Sequence, residues 1–347
     1  MRKALRATLF AAAFLLPGGA LAQLGSDTGA DRIVAAREAL RKGDRGTLER
    51  LASVREPHVL DAYPRYWLLT NRLAGSEPPP AGELEAFLAE EAGSNLAERL
   101  RADWLRRMAK DGDWAGFRRL YPDLQNPDEE LRCSAWTARI LGGDRSALDE
   151  VAQQWDSLTE AHPACDLALA SAASGGLVDE DQVWQRIRRQ VDTRKPASAL
   201  DSLSLLPPGS APSRADLDQA IRSPAPWLDR LPANFAITRA GRELALVALV
   251  RLAREDIPAA QLRLLRIQDR LGADERNYAN LVLAMHAAID RLPEARALYA
   301  AAGDIRMTPL QRAWRVRAAP PAQDRRGVRR AIQGMPAGER RPPPPGL

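Results

Sequence analysis

Three histidines, two cysteines and several paired arginines are the side chains of this sequence that could do chemistry. His58, His162 and His286 lie far apart along 347 residues and sit in no ligand pattern, since there is no HExxH and no CxxC. Nucleotide phosphates have no cradle either. No lysine directly follows a glycine, which rules out GxxxxGK, and no GxGxxG follows a strand pattern. Carboxylates are plentiful at 45 Asp and Glu, but abundance marks no general acid. The residue types point to no catalytic residue, no metal and no cofactor.

Binding chemistry has more candidates. Arg106-Arg107, Arg118-Arg119 and Arg325-Arg326 are spaced either to meet a carboxylate or phosphate or to form the solvated faces of helices. Trp104 and Trp114 with Tyr121 make either a sugar-stacking shelf or, at helical spacing, part of a core.

The elements that must position these groups announce themselves by repetition. Lys42-Gly43-Asp44-Arg45-Gly46-Thr47-Leu48 aligns without a gap on Asp111-Gly112-Asp113-Trp114-Ala115-Gly116-Phe117. The Gly-Asp step returns at Gly143-Asp144, and a weaker echo stands at Asp324-Arg325-Arg326-Gly327-Val328. Offsets of 69, 31 and 211 residues from Asp44 to Asp113, Asp113 to Asp144 and Asp113 to Asp324 fall near multiples of a period. That period, roughly 31–36 residues, is the range of stacked helical hairpins. A glycine in the left-handed conformation closes the first helix, and the aspartate caps the next. Four residues on, Leu48, Phe117, Leu148 or Val328 packs helix two back on helix one. The expected fold is all-α, a superhelix or solenoid of stacked hairpins, ring- or U-shaped. Helical patterns over 84–91, 96–110, 130–141, 242–254, 259–270 and 278–290 agree with it, and no alternating strand run is found. Two proline loops, 75–82 and 205–212, punctuate the array.

The N-terminus reads as a secretory leader. Arg2, Lys3 and Arg6 form a positive region, Ala7 to Leu16 a short apolar core, and Ala20-Leu21-Ala22 a small-x-small cleavage site. A spanning helix needs about 20 apolar residues, more than this run supplies. Cleavage after Ala22 would leave a soluble exported chain starting at Gln23. In an oxidising compartment the lone pair Cys133 and Cys165 invites a disulfide. The alternative is two buried free thiols. Formal charge is +5, but loss of the three leader cations leaves +2, a weak case for a polyanionic partner such as nucleic acid. At the other end, Ala319-Pro320-Pro321 interrupts a helical pattern around Trp314. Residues 337–347 close in an Arg/Pro-rich stretch expected to be extended or disordered.

Several segments together carry a family resemblance. They are Tyr63-Pro64-Arg65-Tyr66-Trp67-Leu68, then Leu100-Arg101-Ala102-Asp103-Trp104-Leu105 leading to Gly112-Asp113-Trp114, and Tyr121-Pro122. Asn126-Pro127-Asp128-Glu129-Glu130-Leu131-Arg132-Cys133, Ala164-Cys165-Asp166 and Val183-Trp184-Gln185-Arg186-Ile187 continue them. In this order, over most of residues 30 to 335, the chain resembles the N-terminal helical superhelix of periplasmic soluble lytic murein transglycosylases. The resemblance implies a superhelix that, in that family, precedes a linker domain and a lysozyme-like catalytic domain. Such enzymes cleave the MurNAc–GlcNAc bond of peptidoglycan and leave a 1,6-anhydro end, one glutamate serving as acid and then base.

That family's Glu-Ser, Gly-Leu-Met-Gln and Ala-Tyr-Asn-Ala-Gly tracts do not occur here. The nearest letters, Asn277-Tyr278-Ala279-Asn280, belong to a helical repeat. No catalytic residue carries over, so this chain reads as the superhelical part of a truncated enzyme, catalytically silent alone. The expected organisation is a leader at 1–22, a superhelical domain at 23–336 and a tail at 337–347. Expected partners are peptidoglycan glycan strands in the periplasm, with other envelope proteins as a further class and no membrane insertion. The rival reading is an exported helical-repeat adaptor for envelope proteins.

Overall fold

A computed structural model describes residues 28–158, 162–318, 329, 332–334 and 336. The expected leader, the Asp324 echo, the proline break at 319–321 and the 337–347 tail lie outside those residues. Among the described residues there are 18 α-helices and no strand.

Two compact units divide between Arg107 and Met108. In the first, α1 (Thr28–Lys42), α2 (Arg45–Ala52), α3 (Ala62–Ala74), α4 (Ala81–Glu90) and α5 (Asn95–Asp111) follow one another as short-looped hairpins. The boundary falls inside α5 and not at either proline loop. An unbroken helical hydrogen-bond ladder carries the chain through it, so composition gives no sign of it.

The second unit holds α6 (Trp114–Leu120), α7 (Glu129–Leu141), α8 (Ser146–Gln154), α9 (Asp166–Ser174), α10 (Glu180–Asp192) and α11 (Pro196–Asp201). It continues through α12 (Arg214–Arg222), α13 (Pro224–Asp229), α14 (Arg239–Ala253) and α15 (Ile257–Ile267). It closes with α16 (Ala273–Ile289), α17 (Ala295–Ala301) and α18 (Pro309–Arg317). Most helices expected from periodicity are present within about three residues. α16 starts five residues before its apolar pattern does, because the Glu275 carboxylate accepts the Gly272 backbone N–H at 2.7 Å and closes its first turn.

The hairpin step has one backbone geometry at Gly43, Gly112 and Gly143. They sit at φ of 71°, 76° and 87°. Their N–H groups donate to the carbonyls of Leu40, Ala109 and Ile140, while the following Asp N–H donates to Ala39, Met108 and Arg139. These paired bonds satisfy helix-end carbonyls that would otherwise be orphaned. Asp44 and Asp113 then accept from the Thr47 and Gly116 backbones at 3.0 and 2.8 Å. Asp144 bonds instead to the backbone and hydroxyl of Ser146, at 3.0 and 2.6 Å.

The same crossover recurs where its sequence signature is missing. Gly176 (φ 73°), Arg194 (φ 64°) and Arg291 (φ 58°) each donate back three residues, and the next residue donates back five. Two arginines stand in a conformation glycine favours, which hid these helix ends from the motif.

Apolar spacing explains the packing. Ala36, Ala39 and Leu48 form a small core on which Leu40, Leu51, Trp67 and Leu68 close. A larger core in the second unit runs from Cys133 to Met307. Within it α14 is buried continuously from Glu243 to Val250, and α16 from Leu281 to Ala288. Each is apolar on nearly every face, so neighbours must surround it. Leu48 and Phe117, the first apolar residues after their steps, are essentially inaccessible. Each contributes about 1.5–3 kcal/mol by leaving water.

Candidate functional site

The histidines do separate structural work. His58 Nδ1 accepts the Leu60 backbone N–H at 3.0 Å, and His162 Nδ1 accepts that of Ala164 at 3.2 Å. His286 lies 2.9 Å from Asp192 Oδ1 in the second unit's interior. Among the described residues no group of three or more His, Cys, Asp or Glu could hold a metal ion.

Cys133 and Cys165 are joined in a disulfide, with Cα atoms 4.6 Å apart, which ties α7 to the Pro163–Cys165 turn before α9. Both are fully buried, so the bond is a staple of the core.

The aromatic residues divide by burial. Trp104 is buried, as the core reading requires. Trp114 at the start of α6 and Tyr121 in the turn just after it are half-buried and flank Phe117, with ring centroids 6.0 and 5.5 Å from it. Arg118 spends its guanidinium on the Ala138 carbonyl at 2.8 Å, and Arg107 reaches the Leu73 carbonyl at 3.0 Å. Beside α6, Arg139 holds Asp144 and Glu150 at 2.8 Å each, and Trp136 Nε1 donates to Glu150 at 3.0 Å. Burial opposes the Glu150 charge, but these two donors hold its carboxyl below the usual range.

A shallow surface candidate lies in the first unit. Arg55, Glu56, Pro57, Asp61 and Glu90 line an open depression, here called the cleft, of about 420 Å³. It is built on Arg32 of α1, which sits on the same helical face as the buried Ala36 and Ala39. The Arg32 guanidinium donates to the Leu51 and Val54 carbonyls at 3.0 Å each and pairs with Glu56 and Asp61, bracing the α2–α3 loop. Across the cleft Glu90 accepts from Arg55 at 2.7 Å and from Arg65 at 2.5 Å. Arg55 leads in pulling the Glu90 carboxyl down, and Glu90 in turn raises Arg55.

The cleft offers alternating cationic donors and anionic acceptors to a polar, hydroxyl-bearing ligand. No motif flags it in the sequence. The one readable signal is an arginine on the apolar stripe of α1.

A second set of charges is buried in the other unit. Arg188 of α10 pairs with Glu243 of α14, and the Tyr278 ring lies 4.4 Å below the guanidinium carbon. Arg239 also reaches Glu243, at 3.4 Å. Near the end of α10, Asp192 receives His286 and stands 3.7 Å from Arg254. Partners up to 94 residues away complete these contacts, beyond the reach of any local pattern.

No protein-family model and no curated protein sequence matches the chain. Solved structures do. The 70-kDa soluble lytic transglycosylase in complex with bulgecin A is 19% identical with a TM-score of 0.54, over 90% of this chain and 50% of that one. An inactive mutant of the lytic transglycosylase Slt from Pseudomonas aeruginosa is 22% identical with a TM-score of 0.57, over 88% and 50%. The 70-kDa soluble lytic transglycosylase from Escherichia coli, at 20% and 0.53, matches over 90% and 50%. The likeness establishes the helical superhelix fold, and the chain spans about half the length of these structures.

Proposed function

We propose that this chain is the superhelical, substrate-holding part of a lytic-transglycosylase-type enzyme of the cell envelope, and that alone it breaks no glycosidic bond. One observation carries the reading. An array of Gly-Asp-linked hairpins matches half of three solved transglycosylase chains along nearly its whole length. The resemblance in the sequence is to the superhelical part of that family and does not include the Glu-Ser tract that would supply the acid.

Holding is the role that the chemistry on hand can perform. The Arg55–Glu90 cleft presents fixed donors and acceptors suited to sugar hydroxyls or to a peptide's polar groups. Export belongs to the same proposal: the leader is removed after Ala22, and the domain over 23–336 works in the periplasm. The internal disulfide suits such a compartment. No described helix is long and apolar enough to cross a membrane.

The test is co-sedimentation of the purified chain with peptidoglycan sacculi, alongside turbidity of the same suspension. Binding without loss of turbidity is expected. Cleared sacculi would overturn the silent role. Absence of binding, together with a stoichiometric envelope protein recovered in a pulldown, would replace this reading with the adaptor.

A further inference from the structure

Charge is spread unevenly along this chain. Residues 291–347 hold twelve arginines and four carboxylates, a formal +8, whereas residues 23–290 sum to −6. Within the described part of that end, residues 291–317, six arginines face only Glu294 and Asp304. Such asymmetry draws an anionic partner to one end of a chain whose total charge is close to neutral.

The helix at that end, α18, also carries apolar side chains on its outer flank. Its inner side is marked by Gln311, 9% exposed, whose carbonyl accepts the Tyr299 hydroxyl at 3.2 Å. Leu310, Ala313, Trp314 and Arg317 fall at i, i+3, i+4 and i+7 and share another flank. Leu310 is 58% exposed, Ala313 and Trp314 are half-buried, and Arg317 is exposed. One side of Trp314 rests on the second unit's core, and the Arg317 guanidinium carbon lies 4.9 Å from its ring centre.

The first turn of this helix is fixed. The Thr308 N–H donates to Gln311 Oε1 at 2.9 Å, and the Gln311 N–H donates to Thr308 Oγ1 at 3.3 Å. Arg312 donates to the Met307 carbonyl, which ties the same turn to the chain before it.

A lone exposed leucine needs no partner. Here it heads a stripe that continues into a half-exposed tryptophan and an arginine, within a basic region. A sugar strand or an acidic polymer would satisfy the cations but leave Leu310 in water. A lipid surface satisfies all three, with acyl chains for leucine, the headgroup level for indole and phosphate for guanidinium. No described helix is long and apolar enough to cross a membrane, so the contact is one of lying on the surface.

We propose that the basic C-terminal end docks on an anionic phospholipid surface through the Leu310–Trp314–Arg317 flank of α18. So short a stripe buries little by itself, and charge supplies the rest, which makes the docking reversible and salt-sensitive. The surface stands apart from the proposed glycan-holding role, and sacculus binding tests that role separately.

The whole chain is sedimented with phosphatidylcholine vesicles containing about one third phosphatidylglycerol, and with phosphatidylcholine vesicles alone. It should bind the first at least about tenfold more tightly and leave them in about 0.5 M salt. Arg317→Gln should weaken binding about fivefold, and Leu310→Glu about tenfold or more. Both sites are exposed, so Tm should stay within about 1 °C of native. The native cysteines are joined to each other, so Leu310→Cys gives one thiol for an environment-sensitive dye. That dye should shift to the blue on the anionic vesicles, and one at Val59→Cys, 92% exposed in the first unit, should not. No binding to anionic vesicles, equal binding to neutral ones, native affinity in Leu310→Glu, or a shift at Val59→Cys alone would each overturn the proposal. Retention on poly-glutamate without vesicle binding would replace the lipid with an acidic protein partner.

Discussion

Arg188 and Glu243 meet 55 residues apart in sequence, with side chains 9% and 2% exposed, and join α10 to the buried helix α14. The Tyr278 ring from α16 closes the guanidinium's other face. Three helices thus share one charge pair at the centre of the second unit.

Glu243→Leu leaves Arg188 buried and unpaired, and should cost about 3–5 kcal/mol. Replacing both, as Arg188→Met with Glu243→Leu, should recover most of that loss. Urea denaturation of the three proteins checks it. A double variant no better than the single would mean that the pair's attraction, and not the stranded charge, sets the energy.

Reduction of Cys133–Cys165, which bridges 32 residues, should lower stability by about 3–4 kcal/mol on the chain-entropy account. Mass spectra of denatured protein with and without reductant would show a gain of two hydrogen atoms. Thermal unfolding under the same conditions gives the energetic effect, and an unchanged Tm would contradict it.

Positive φ makes a testable asymmetry. Arg194→Gly and Arg291→Gly should each stabilise by about 0.5–1 kcal/mol, since both arginines hold a conformation that side chains resist. Gly112→Ala should cost about 1 kcal/mol for the converse reason. Gly241→Ala acts through space instead: its new methyl would collide with the Phe235 carbonyl oxygen, at a cost of about 1–3 kcal/mol. Tm values for the four variants should split into two gains and two losses.

Glu150 predicts an acid-side pH dependence for the α7–α8 hairpin. Although burial disfavours its charge, Arg139 and Trp136 hold its carboxyl below the ordinary value. A depressed acid adds stability above its unfolded pKa and loses it as pH falls through the folded one. The Tm gap between the native chain and Glu150→Gln should be widest near neutrality and close below about pH 4. A gap that persists at low pH would rule out this linkage.

Much of this was readable from letters alone. The steps at Gly43, Gly112 and Gly143 show the left-handed turn that glycine before aspartate implies, and Leu48 and Phe117 lie buried where the spacing puts them. Trp104 belongs to the core, while Trp114 and Tyr121 keep partial exposure on either side of Phe117. What escaped notice did so for definite reasons. Arg194 and Arg291 close helices without the glycine that signals it, and a unit boundary inside α5 leaves no mark in composition. The charged faces inferred for arginine pairs likewise miss Arg32 and Arg186, both single, and Arg188, which stands beside Arg189, all three buried.

By itself the sequence determined whatever depends on neighbours a few residues away: helix periods, the left-handed closure, the aspartate caps and the hairpin repeat. Tertiary structure alone decided which arginines lose water, which carboxylates meet them, and where a cleft opens. Burial of a charge depends on helices brought together from 24 to 94 positions apart, as in Arg32 with Glu56 and His286 with Asp192. The energy of such a pair is set by the surface that both groups leave, which no local pattern encodes.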